Sequence, residues 1–184
     1  MKKLMIAAVA VALAACAQAA SFSWKTSATG KVYQPGSTTL LGTATAYLFD
    51  SSAVTQASLV SAFVDGTLDL TTGNISSQSI SSGVISSKTF EDGTAVGDQL
   101  TAYFATVVTI ESKDYLFISD TVSGYGVEGK TTQLSFSAKN ASQAAALDAN
   151  KGYSAAGWYA VPEPTSGLLM LLGMCGLALR RRRA

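Results

Sequence analysis

"DQLTAYFATVVTIESKDYLFISD", Asp98 to Asp120, sets two runs of β-branched and aromatic residues on either side of Glu111-Ser112-Lys113-Asp114. Residues of that kind fit a pleated, partly buried surface, and the polar quartet between them suits a turn. The stretch predicts a β-hairpin, and it is the strongest strand signal in the chain. Upstream, "SFSWKTSATGKVY" from Ser21 alternates at Phe22 and Trp24, and "TATAYLFD" from Thr43 follows the turn-like Gln34-Pro35-Gly36-Ser37. Both read as strands. Downstream, further strands are expected at Gln133 to Ala138 and at Gly157 to Val161.

One segment departs from this pattern. Val54, Ala57, Leu59, Val60 and Phe63 approximate helical spacing, with Ser51 or Ser52 placed to cap and Gly66 just beyond the end. It predicts one short helix. Further on, "ISSQS" from Ile75, "ISSGV" from Ile80 and "ISSKT" from Ile85 share a five-residue period. Three copies are too few to stack a solenoid core, and an odd period would point successive isoleucines to opposite faces of a single strand. Two strands around a turn near Ser82-Gly83 is the plainer reading. The expected fold is mainly β: an antiparallel β-sandwich of the jelly-roll or Greek-key kind, with seven to nine strands and one short helix.

The chain has 184 residues, enough for one domain of ordinary size after its terminal segments are set aside. "MKKLMIAAVAVALAACAQAA" has Lys2 and Lys3, an apolar stretch from Leu4 to Ala15, and Ala17 and Ala19 in A-x-A spacing. This is the pattern of a secretory signal peptide over residues 1–19, an N-terminal signal helix with cleavage after Ala19. Leu13-Ala14-Ala15-Cys16 also resembles a bacterial lipobox, in which Cys16 is lipidated and becomes the new N-terminus. Either reading exports the protein.

The secreted domain expected over residues 20–160 holds 7 lysines, 11 acids and no arginine, a net charge of −4. An acidic body without guanidinium forks offers little to phosphates, which argues against nucleic acid as a partner. Both cysteines, Cys16 and Cys175, lie in the terminal apolar segments, so the domain must be held by its hydrophobic core and not by a disulfide.

Catalytic chemistry is sparsely supplied. There are 0 histidines, which removes His-based triads, most zinc sites and the usual general base near neutral pH. A carboxylate-pair glycoside hydrolase could draw on Asp65, Asp69, Glu91, Asp92, Asp98, Glu111, Asp114 and Asp120. Most of them sit beside Gly, Ser or Lys in apparent turns, where a solvated loop charge is the simpler account. Asp65, Asp69 and Asn74, or Glu91 and Asp92, could offer oxygens to calcium, though neither set follows a recognised loop spacing. No cofactor, metal or catalytic residue is therefore expected. Trp24, Tyr33, Tyr125, Tyr153, Trp158 and Tyr159 could stack on sugars, although alternating aromatics in strands more often build a core.

The C-terminus is different in kind. Thr165 to Leu179 is a 15-residue run without charge, and Arg180, Arg181, Arg182 and Arg183 follow it. As a helix the run would reach about 22 Å against a hydrocarbon core of about 30 Å, short for a plain anchor. The arginines can snorkel to the headgroups and orient the C-terminus to the cytoplasm, leaving Pro162 and Pro164 just outside the membrane.

Val161-Pro162-Glu163-Pro164, the Gly/Leu-rich segment from Gly167 to Leu179 and the arginine cluster, in that order, resemble the PEP-CTERM sorting signal of Gram-negative bacteria over residues 161–184. The resemblance implies processing near Pro162-Glu163-Pro164 by an exosortase, a membrane-embedded transpeptidase-like enzyme. It also implies an inner-membrane intermediate held by a helix at about 165–179, delivery to the cell surface or extracellular matrix, and association with exopolysaccharide. The function expected is thus an exported, non-enzymatic structural protein. A carbohydrate-binding module is the alternative, and a carboxylate glycosidase a more distant one.

Overall fold

A computed structural model describes residues 18–28, 30–137, 146–148 and 157–160. Along them run β1 (Ser21–Thr26), β2 (Ala44–Asp50), α1 (Gln56–Val64), β3 (Ser76–Ser81), β4 (Val84–Ile85), β5 (Lys88–Phe90), β6 (Gln99–Ile110), β7 (Lys113–Ile118), β8 (Val122–Tyr125), β9 (Thr131–Phe136), β10 (Ala146–Asp148) and β11 (Gly157–Ala160). The protein is mainly β with one short helix, as its composition predicts. The strand count exceeds seven to nine because β4, β5, β8 and β10 are two to four residues long. Such pieces are too brief to show periodicity. The expected N-terminal signal helix and the C-terminal transmembrane helix at 165–179 lie outside the described residues. Among those described, no helix is long and apolar enough to cross a membrane.

The strands form a three-stranded sheet, in the order β5-β1-β9, and a larger one in the order β10-β11-β7-β6-β2-β3-β4, with β8 also paired to β6. Pairing is antiparallel except for β1 with β9 and β10 with β11, which are parallel. The expectation of a wholly antiparallel fold is corrected at these two pairs. β1 and β9 are far apart in sequence, and β10 and β11 are separated by residues 149–156, so no tight hairpin dictates the direction of either pair.

The buried run of β6 explains how the layers stack. Ala102, Tyr103, Phe104, Ala105 and Thr106 are all fully buried, whereas a strand with one wet face would alternate. Leu100, Ala102 and Phe104 enter one core, which they share with Phe22, Trp24, Leu134 and Phe136 of the small sheet. Tyr103 and Ala105 point the other way, into a second core with Leu59, Val60 and Phe63 of α1. The two sheets face each other in a sandwich-like arrangement, and the helix covers the large sheet's outer face. The molecule is therefore layered small sheet, large sheet, helix.

Local signals place the turns. Glu111 and Ser112 both have positive φ, at 50° and 63°, the backbone of a two-residue type I′ hairpin turn whose twist matches that of its strands. The turn is thus shorter than Glu111 to Asp114: Lys113 pairs with Ile110 and Asp114 with Thr109. Ser82 and Gly83 make a second such turn, with φ of 48° and 73°. That turn accounts for the step from Ile80 to Ile85. Across a two-residue turn, residues five apart face each other, and Ile80 pairs with Ile85 on the buried side. The equivalence that would be lost in one strand is restored by the hairpin.

The helix starts later than expected. Thr55, and not Ser51 or Ser52, is its N-cap, its hydroxyl accepting from Ser58 N at 3.1 Å. Asp50 takes Ser52 N at 2.8 Å, and the Ser51 hydroxyl donates to Thr101 O at 2.8 Å, so both serines are engaged before the helix begins. At the other end Gly66, with φ +69°, lets Gly66 N donate to Phe63 O at 3.2 Å and Thr67 N to Ala62 O at 2.9 Å. This is a Schellman closure, and it needs the left-handed residue that glycine supplies.

Candidate functional site

β11 is the last described strand, and both cores fix it. It lies between β7 and β10, with Trp158 opposite Phe117, Tyr159 opposite Leu116 and Ala160 opposite Tyr115. Trp158 is buried in the core between the sheets, packed on Phe117 at 5.2 Å, and its indole N–H donates to Tyr33 O at 3.0 Å. Tyr159 is buried on the opposite face, under the helix layer. The chain therefore leaves the folded body from a strand whose neighbouring side chains are locked into two different cores.

Among the described residues, the aromatics proposed as a sugar-stacking face do not form one. Trp24, Trp158 and Tyr159 are fully buried. Tyr33 is partly buried against the core between the sheets, and Tyr125 is 59% exposed; Tyr153 lies outside the described residues. Trp24 explains why such rings tolerate burial: its N–H donates to Ser76 Oγ at 3.0 Å, and its ring meets Phe104 and Phe136. No buried side-chain polar atom among the described residues is left without a partner.

Three of the candidate carboxylates, Asp69, Asp92 and Asp114, bond to nearby threonines. Asp69 accepts from the Thr71 hydroxyl at 2.6 Å, from Thr71 N at 2.9 Å and from the Thr72 hydroxyl at 2.9 Å. These bonds, the Thr71 hydroxyl foremost, hold its carboxyl below the ordinary value against a small opposing effect of burial. A general acid needs the opposite shift. Asn74 donates to Thr71 O at 2.7 Å and closes the same loop. Asp92 accepts from Thr94 N and its hydroxyl, each at 3.0 Å, and Asp114 from the Thr109 hydroxyl at 2.6 Å. Asp65 is the C-cap of α1, Glu111 sits in the hairpin turn, and the Asp98 carbonyl accepts from Gly126 N at 2.9 Å. No group of three metal-ligating side chains comes together among the described residues.

Two of these carboxylates share a cleft that the sequence reading missed. It has a volume of about 710 Å³ and opens between the end of α1, the loop after it and the β6–β7 hairpin. Tyr47, Phe63, Leu68, Leu70 and Val107 supply apolar walls, and Asp69, Lys113 and Asp114 lie among the polar lining. Leu68 and Leu70, alternating around Asp69 in an otherwise polar loop, were the available signal. Asp120 and Asp98 are not among the residues that line it.

At the N-terminal end, Ala19 forms an isolated bridge with Ala95, and Val96 N donates to Gln18 O at 3.1 Å. Ala20 is buried, and its nitrogen donates to Thr94 O at 2.7 Å. Cys16 and Ala17 lie outside the described residues, as do Pro162, Glu163, Pro164 and Arg180 to Arg183.

The family model of the PEP-CTERM protein-sorting motif matches residues 160–183. The chain ends in that motif, which begins where β11 ends. No curated protein and no solved structure matches the chain. The motif implies processing by exosortase, a membrane enzyme, with a membrane-associated intermediate and sorting towards the cell surface.

Proposed function

We propose that the protein is a non-enzymatic surface or matrix protein, exported by a signal peptide over residues 1–19 and retained with exopolysaccharide after sorting. The body, residues 20–160, serves as a sandwich-like scaffold, and residues 161–184 as its address. One observation carries this reading: the sorting motif at 160–183 is continuous with a core strand of the folded body, so a domain and an address are joined in one chain. The roles within the address differ. Pro162 and Pro164 keep the backbone extended, the form in which processing sites accept a peptide, while Arg180 to Arg183 hold the short helix at the anionic cytoplasmic face.

A non-catalytic role is supported by the missing histidines and by carboxylates that close their own loops. The test is expression in a host that has the sorting enzyme, with fractionation and mass measurement at both termini. The parent should start at Ala20 and lack the arginine tail. A chain with Pro162→Ala and Pro164→Ala should stay full-length in the inner membrane, and one without Arg180 to Arg183 should be released or misoriented. Surface delivery of both variants with the parent's processed C-terminus would overturn the reading. So would polysaccharide turnover that disappears when one Asp or Glu is changed to its amide.

A further inference from the structure

We infer that the end of the domain carrying the β6–β7 turn is a contact surface for the extracytoplasmic face of the membrane enzyme that processes the tail. The inference rests on the sorting function proposed above and adds which surface of the body meets the enzyme. β11 runs antiparallel to β7, so the chain heads from Ala160 towards the start of β7 and the turn at Glu111 and Ser112. Ala160 is opposite Tyr115, and Ser112 lies three residues further along. At about 3.3 Å per residue the turn projects roughly 10 Å past Ala160. Three residues of fully extended chain reach no more than about 10 Å. The Pro162-Glu163-Pro164 motif cannot therefore be engaged at any distance from the body.

Unpeeling β11 to lengthen the tether is disfavoured, because Trp158 and Tyr159 would leave two separate cores. The enzyme must then approach the body. It meets Glu111, Ser112, Lys113 and Asp114, with Asp65 at the end of α1, whose neighbours Val64 and Gly66 line the same cleft as Ser112 and Lys113. Asp65, Glu111 and Asp114 against Lys113 leave this end net acidic. An acidic face is repelled by anionic lipid, which favours a protein surface over the bilayer as its partner.

The experiment compares five chains in a host that has the sorting enzyme, reading the processed fraction from the C-terminal mass. They are the parent, a chain with a small folded domain inserted between Glu111 and Ser112, and one with roughly ten Gly and Ser residues, about 30 Å when extended, between Ala160 and Val161. The fourth carries both changes, and the fifth has the same domain inserted after Ser52, at the opposite end of the large sheet. The insertion at the turn should lower processing at least tenfold, the spacer should restore it in the double variant, and the insertion after Ser52 should leave it at the parent level. Parent-level processing with the turn blocked would overturn the inference, as would a loss that the spacer does not restore. So would a turn insertion that detaches the unprocessed chain from anionic vesicles yet leaves processing intact, because that result assigns the surface to lipid. An unprocessed parent would instead refute the sorting function itself.

Discussion

The two faces of the large sheet are covered in different ways. Towards the small sheet, Phe104 meets Trp24 at 6.1 Å, Phe117 at 5.5 Å and Phe136 at 5.4 Å, so rings from three other strands converge on one side chain. On the outer face, α1 contributes Leu59, Val60 and Phe63, each still slightly exposed, and a cleft remains beside it. The small sheet lays rings from two strands against the inner face, whereas one nine-residue helix leaves a cleft at the hairpin end of the outer face. Rigidity is thus concentrated on the inner face and accessible space on the outer one.

That contrast can be broken by mutation. Phe104→Ala should destabilise most, by about 5 kcal/mol, because its cavity is walled by rings from both sheets that cannot collapse into it. The shift in urea midpoint of a fragment spanning residues 20–160 measures this, and the fragment itself should be soluble and β-rich by circular dichroism. Phe63→Ala should cost about 3 kcal/mol, since the helix can settle towards the cleft. Equal costs for the two would show that the helix layer is as tightly packed as the sheet layer.

Gly83→Ala comes next, at about 2 kcal/mol. Its φ of +73° disfavours a side chain, and the added methyl would meet Val32 O at 2.5 Å, backbone that cannot swing aside. Thermal unfolding should show the loss, and Gly36→Ala, which has left-handed φ but open space around it, should be milder. Thr55→Ala removes the helix cap and should cost about 1 kcal/mol. Ser52→Ala, which loses only an exposed bond to Asp50, should cost less.

The smallest effect concerns Asp69, at the edge of the outer-face cleft. Its folded carboxyl titrates below its ordinary value, so its contribution is present above the unfolded pKa and fades as pH falls through the lowered folded one. Asp69→Asn should flatten the stability profile in that acid window, with a small loss at neutral pH that vanishes once the wild-type carboxyl is protonated. A change of stability at neutral pH larger than that of Thr55→Ala would mean that the loop matters more to the outer face than its exposure suggests.

Much of this was legible in the residues. The Asp98 to Asp120 hairpin, the helix, the Ser82-Gly83 turn and the sorting motif all rest on near-neighbour patterns. The cleft was not legible, because Tyr47, Phe63, Leu68 and Val107 are spread over four segments and meet only when α1 lies on the sheet. The buried aromatics were ambiguous for a related reason: Trp24 and Trp158 would look the same along the chain on a wet face or a covered one.

The sequence by itself determined where the longer strands, the two hairpin turns and, to within a few residues, the helix form, and that the chain ends in a sorting motif, since these depend on side-chain type, alternation and glycine within a few residues. Only the tertiary structure decided that β6 is covered on both faces, that β1 and β9 run parallel, and that the last strand before the address is wedged between two cores. Those features arise from pairing across long stretches of chain, where buried area and not local preference selects the partner.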